Sequence, residues 1–242
     1  MNAIILAAGK GTRLGNITRN YPKAIVKVMD KELIRYVVDM VLYVNASKIV
    51  VVGGSGFNHL KSFISSYAPE VILTRNLDYE KGNLYSLKCA LPYVNDSFLL
   101  FNVDHVFSRD LLDVVISVYN NSNEITLFCD NLKTIEDDQM KVSAEGNRLC
   151  KISKTLETYD TGYCGLIYCP KAMIDNFIRA TNEISKKKGA DAVTEDILNH
   201  LISKNQFISI VDIDGYQWFE VDTLEDLYKA ELLVSDFPDK WV

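Results

Sequence analysis

The segment Leu6-Ala-Ala-Gly-Lys-Gly-Thr-Arg-Leu14 constrains this chain more than any other stretch. It continues a short apolar run at residues 3–7 that stops at Gly9-Lys-Gly11, the pattern of a buried strand entering a loop. Gly9 and Gly11 let the backbone turn sharply and come close to a ligand, with amide N–H groups turned toward phosphate oxygens. Spacing excludes two common phosphate loops. A G-x-G-x-x-G fingerprint begun at Gly9 needs glycine where Leu14 stands, and the next glycine is Gly15. The G-x-x-x-x-G-K-[ST] loop is absent.

The charge around this loop points to a compact anion. Net charge over 242 residues is −6, which argues against general nucleic-acid binding. Yet between positions 10 and 31 the chain places Lys10, Arg13, Arg19, Lys23, Lys27 and Lys31 against one acid, Asp30. A solvated basic face would give the same count, so charge alone leaves both readings open.

Strand and helix patterns alternate from the start. Strands are expected at 3–7, 48–52, 70–73, 98–103 and 124–129, with helices at 31–44, 58–66, 83–91 and 109–119 between them. Strands spaced by such helices imply βαβ crossovers and a mostly parallel sheet covered on both faces. The second half is less regular. It predicts a hairpin of 140–143 and 148–152 around Ala-Glu-Gly-Asn, and strands at 162–168, 207–211 and 217–221. Helices are expected from 171, at 194–202 and at 223–234, with an exposed helix end at 185–189. No repeat or flexible linker interrupts the chain, so one domain spanning 1–242 is expected. Its nucleotide-binding part would cover about 1–130 and its acceptor-binding part about 131–242.

The five cysteines (Cys89, Cys129, Cys150, Cys164, Cys169) show no zinc-ribbon spacing and read as free thiols in a reducing cytoplasm. No apolar stretch reaches the length of a membrane span and no signal peptide is evident, so neither is expected.

Two regions offer carboxylates. Asp104 ends the apolar run Phe98-Leu-Leu-Phe-Asn-Val-Asp, and open α/β sheets gather ligands at the carboxyl ends of their strands. Glu220 and Asp222 lie two residues apart at a strand end and so share a side. Such oxygens suit Mg²⁺. Asp222-Thr-Leu-Glu225 also has the form of a helix N-cap with a reciprocal glutamate. Likewise Gly82, Asn83 and Ser86 could read a base edge, or Asn83 could simply cap a helix.

These motifs together bring in a resemblance. A-A-G-x-G-T-R-L followed by Pro22-Lys23 resembles the sugar-1-phosphate and phosphocholine nucleotidyltransferases. The ordered series G-N-x-Y-S-L from Gly82, Asp104-His-Val-Phe107, Ile152-Ser-Lys-Thr-Leu156, Asp160-Thr-Gly162 and Val221-Asp-Thr-Leu-Glu-Asp226 looks most like the CTP:inositol-1-phosphate cytidylyltransferases, across almost the whole chain. That resemblance implies a three-layer α/β/α sandwich with a Rossmann-like, mostly parallel but mixed sheet of the GT-A-like type.

It also implies roles. Leu6, Ala7, Ala8, Gly9, Lys10, Gly11, Thr12 and Arg13 would hold the triphosphate with Lys23, and Gly82, Asn83 and Ser86 would line the base. Asp104 and Asp222 would ligate Mg²⁺ with Glu220 in support. The first of these metal dipeptides reads Val103-Asp104 where the family has Gly-Asp. Lys154, Asp160, Thr161 and Gly162 would meet the acceptor, and Arg13, Lys23 and Lys154 would serve the chemistry.

The implied activity transfers CMP from CTP to inositol 1-phosphate, giving CDP-inositol and pyrophosphate. The same chemistry with phosphocholine, or with a sugar 1-phosphate and another base, is the alternative. A nucleotide-sensing subunit without activity would be expected to lack a key charge, yet Arg13, Lys23, Asp104 and Asp222 are all present. The partners are therefore CTP and a small phosphomonoester, with no nucleic acid, and a homodimer is left open.

Overall fold

The computed structural model describes the chain except residues 20, 132–134 and 136–138. Its first half alternates strand and helix: β1 (Asn2–Ala7), β2 (Lys27–Val28), β3 (Lys31–Glu32), α1 (Leu33–Tyr43), β4 (Lys48–Gly53), α2 (Phe57–Tyr67), β5 (Ile72–Arg75), α3 (Asn83–Ala90), β6 (Phe98–Asn102), β7 (His105–Phe107), α4 (Arg109–Asn121) and β8 (Ile125–Asp130). The second half adds β9 (Lys141–Glu145), β10 (Arg148–Ser153), β11 (Thr161–Cys169), α5 (Ile174–Lys188), α6 (Glu195–Ser203), β12 (Ile208–Asp212), β13 (Trp218–Glu220) and α7 (Leu224–Asp236).

Among the described residues one sheet runs in the order β5-β4-β1-β6-β11-β8-β12-β10-β9. It is mixed. The β5-β4-β1-β6 half is parallel, as its helical crossovers require. β11 then runs antiparallel between β6 and β8, and β9 and β10 form the expected hairpin at the far edge. Strands of both halves thus share one sheet.

The pleat of β1 divides the core. Ala3, Ile5 and Ala7 face α1 and α4, whereas Ile4 and Leu6 face α3, α5 and α6. β1 is buried throughout, which is why it reads as a continuous apolar run. Among the described residues no helix is long and apolar enough to cross a membrane.

Two features create the site. The chain leaves β1 toward β4 on one side and returns to β6 on the other, so the loops after β1 and β6 diverge from adjacent strand ends. Leu6 pairs with Asn102, and the Val103 amide donates to the Leu6 carbonyl at 3.0 Å. The second feature is a ribbon that periodicity did not reveal. β7 pairs antiparallel with β13, Trp218 opposite Phe107 and Glu220 opposite His105.

Two expectations shift. The strand expected at 70–73 lies at Ile72–Arg75, because edge pairing with β4 extends to Thr74 and Arg75 whatever their polarity. The alternative reading of Asp222 as a helix cap also shifts, by one residue. Thr223 is the N-cap of α7, its hydroxyl accepting from the Asp226 amide at 3.1 Å while Asp226 accepts from the Thr223 amide at 2.8 Å. Thr223→Ala is therefore expected to lower stability by about 1 kcal/mol in urea melts, with the fold kept.

Candidate active site

The loop after β1 is built by short-range bonds. Gly11 stands at φ 65° before the 3₁₀ turn Thr12–Thr18, and its carbonyl accepts from the Thr18 hydroxyl at 2.6 Å and the Leu14 amide at 3.0 Å. A Cβ there would lie 3.0 Å from Cβ of Lys23, so the loop rests directly on that lysine. Ala8, Gly9 and Arg13 face the cleft with Leu6, whereas Ala7 is packed in the core. Lys10 turns away to Glu80 at 2.5 Å, above the ring of Tyr79. Thr12 is exposed, and neither it nor Gly11 is part of the cleft wall.

Lys23 opens the next 3₁₀ turn, after Pro22, and only 5% of it is exposed. Its ammonium donates to Asp104 Oδ2 at 2.5 Å and to Asp222 Oδ1. Arg13 Nη2 meets the other oxygen of Asp222 at 2.5 Å. The loop cations and the two distant carboxylates therefore share one knot. The β7–β13 ribbon sets their approach, with the Val221 amide donating to the Asp104 carbonyl at 3.0 Å. Because Thr223 and Asp226 cap α7, the Asp222 carboxylate is turned to the cleft.

His105 lies inside a motif singled out in the sequence, but its position emerges only in three dimensions. It is buried, its Nδ1 2.7 Å from Asp104 Oδ1 and its Nε2 3.7 Å from Glu220 Oε2. Its ring stacks on Trp218 at 5.9 Å. Gly165 (φ 85°) backs it, and a Cβ there would lie 2.5 Å from the imidazole. Ligand atoms of Asp104, His105 and Glu220 fall within 4.8 Å of one another.

The electrostatics follow from this packing. Burial opposes charge on Lys23, but Asp104 and Asp222 outweigh it and raise its pKa. Burial also opposes charge on Asp104, yet Lys23 and His105 hold that carboxyl well below the usual carboxylate range. His105 is raised by Glu220 and Asp104 despite its burial. Glu220 is pushed up by burial and by repulsion from Asp104 and Asp222, against the pull of His105.

A cleft of about 960 Å³ opens from this knot. Gly82, Asn83 and Ser86 line one wall at the start of α3. Asn83 does not cap that helix. Its amide exchanges two hydrogen bonds with Thr194, both 3.1 Å, and the buried Ser86 hydroxyl accepts from Asn76 at 3.0 Å. Lys154 also lines the cleft. Asp160, Thr161 and Gly162 are not among the described residues that line the cleft. Asp160 accepts from the Ala144 amide at 2.8 Å, while Thr161 and Gly162 pair with Val142 and Lys141, so this segment joins β9 to β11. The β11 residues on the wall are Tyr163 and Gly165. Glu195 also lines the cleft, buried at the start of α6, and no sequence motif marks it.

A crossover sheet with a glycine loop and carboxylates at one switch point defines a nucleotidyltransferase-type α/β fold. The MobA-like NTP transferase domain family matches residues 3–140, more than half of the chain, and the chain belongs to that family.

Over 95% of its length the chain is 28% identical to the "Bifunctional IPC transferase and DIPP synthase" of Aquifex aeolicus, and it spans about half of that protein, 50%. It is 26% identical to the "CTP:phosphoglutamine cytidylyltransferase" of Campylobacter jejuni over 94% of this chain and 98% of that one. The fold matches the inositol-1-phosphate CTP transferase structure from T. maritima at TM-score 0.83, covering 98% of this chain and 96% of that one at 24% identity.

Lys23→Met tests the knot in metal-free protein. In the wild type the depressed Asp104 contributes stability that is present above its unfolded pKa, about 3.9, and is lost only well below it. Without the ammonium, burial opposes the charge on Asp104 with His105 alone left to offset it, so its carboxyl is expected to titrate higher than in the wild type. Urea melts from about pH 3 to 7 should show the variant losing stability at higher pH than the wild type.

Proposed function

We propose that this chain is a Mg²⁺-dependent cytidylyltransferase that joins CTP to inositol 1-phosphate, forming CDP-inositol and pyrophosphate. The observation that carries the reading is the meeting of Arg13 and Lys23 with Asp104 and Asp222 in one cleft. The likeness to the inositol-1-phosphate CTP transferase from T. maritima supports the choice of base and acceptor. Residues 1–242 would act as one domain, with the nucleotide held mainly by the first half and the acceptor by the second.

The donor set fits the proposed ion. Asp104 and Asp222 converge on one ammonium, so a divalent cation near that point would meet hard carboxylate oxygens, the ligands Mg²⁺ prefers. Bound Mg²⁺ would supply charge neutralisation and orientation for the phosphates. Lys23, released from the carboxylates, would turn to the triphosphate together with Arg13. Amides of the loop at Gly9 would contact phosphate oxygens. Lys154 would hold the acceptor phosphate, and Glu220, bridged by His105 to Asp104, would orient that carboxylate.

In the reaction an oxygen of the acceptor phosphate attacks the α-phosphorus of CTP. The new P–O bond forms as the bond from the α-phosphorus to its bridging oxygen breaks, and that oxygen leaves with pyrophosphate. The attacking group is already anionic, so no side chain need remove a proton. The barrier lies in bringing two anions into line, and fixed cations lower it.

The test is a matrix of CTP, UTP, GTP and ATP against inositol 1-phosphate, phosphocholine, glucose 1-phosphate and phosphoglutamine, read as pyrophosphate release. CTP with inositol 1-phosphate should dominate, and chelation of divalent metal should abolish turnover. Equal or faster turnover with another base or acceptor would overturn the substrate assignment. Lys23→Ala and Asp104→Asn should each cost about 10²–10³ in kcat.

A further inference from the structure

Glu195 is an acid that the structure holds firmly and leaves partly unused. It is 5% exposed, yet it lines the cleft. Among the described residues its Oε2 is buried with no hydrogen-bond partner. A buried carboxylate oxygen without a donor costs free energy, so a native example calls for a reason.

Helix capping does not supply one. The neighbouring Asp196 already serves the first turn of α6, accepting from the Val193 amide at 3.0 Å and pairing with Lys188 at 2.5 Å. Two clamps fix Glu195 in place. On one side Asn83 and Thr194 exchange their two hydrogen bonds. One helical turn on, the Asn199 amide accepts from the Ile152 N–H at 3.1 Å and donates to the Ile152 carbonyl at 2.7 Å. The second clamp also fixes the strand that leads to Lys154.

We propose that Glu195 selects an acceptor carrying hydroxyl groups, its Oε2 accepting a hydrogen bond from a hydroxyl of the alcohol whose phosphate lies at Lys154. This rests on the nucleotidyl-transfer reading of the cleft. Burial, with repulsion from Asp196, pushes the Glu195 carboxyl up against hydrogen bonding from its own amide and from Thr194 and the pull of Lys154, so a neutral O–H donor suits its open oxygen. A polyol or sugar phosphate offers O–H donors. A trimethylammonium group offers none, so phosphocholine would leave the oxygen unpaired.

The test compares wild type, Glu195→Ala and Glu195→Gln with CTP, inositol 1-phosphate and its monodeoxy analogues. Glu195→Ala should raise the acceptor KM by about 10- to 100-fold, with the KM for CTP changed less than about twofold. Glu195→Gln should fall between, since its amide keeps one acceptor oxygen. One deoxy analogue should be penalised in the wild type and much less in the variants, a coupling that mere loss of packing would not produce. If Glu195→Ala melts early, the Glu195→Gln and analogue comparison alone decides.

An unchanged acceptor KM in both variants overturns the inference, as does a parallel rise for CTP or a wild-type preference for phosphocholine. Should another polyol or sugar phosphate prove the better acceptor with the same KM split, the role of Glu195 stands and the inositol assignment falls. If inositol 1-phosphate turns over equally well in all three proteins, the reverse holds.

Discussion

A buried ammonium shared by two carboxylates organises this molecule. Lys23 comes from the loop after β1, Asp104 from the end of β6 and Asp222 from the turn after β13, so three distant segments meet at one nitrogen. Each charge is tolerated because the others are present. Removing one partner from such a knot leaves an uncompensated buried charge, the costly case for ion pairs. The same arrangement prepares the proposed chemistry, since it holds cations for phosphate and carboxylates for metal against each other until ligands exchange their partners.

Backbone structure makes the knot possible. The reversal of strand order at β1 opens the crevice. The β7–β13 ribbon brings the two acidic segments together, and the Thr223–Asp226 box frees Asp222 from capping. His105, held between Trp218, Gly165, Asp104 and Glu220, ties the ribbon to the main sheet. The proposed acceptor wall has its own supports, the paired amides of Asn83 and Asn199.

Much of this was legible in the sequence, for local reasons. The glycine loop declares itself by spacing, and β1, β4, β6 and β8 by apolar runs that parallel burial demands. What escaped depends on pairing across the fold. β7 has three residues and follows a turn, so no periodicity marks it. Asp222-Thr-Leu-Glu225 and Thr223-Leu-Glu-Asp226 have the same capping spacing, and only the chain's exit from β13 distinguishes them. The resemblance puts the D-T-G triplet at the acceptor; Thr161 and Gly162 pair with β9, and the triplet is not among the described residues lining the cleft. Glu195 carries no motif because its importance lies in burial and in an unfilled oxygen.

The central claim concerns where metal and triphosphate meet. Anomalous diffraction from crystals grown with CTP and Mn²⁺, a congener that accepts the same oxygen donors, measures this directly. The account predicts the metal peak between the carboxylates of Asp104 and Asp222, with the triphosphate against Gly9 and Arg13 and the Lys23 ammonium on a phosphate oxygen. A peak confined to His105 and Glu220, or a triphosphate bound away from the glycine loop, would contradict it.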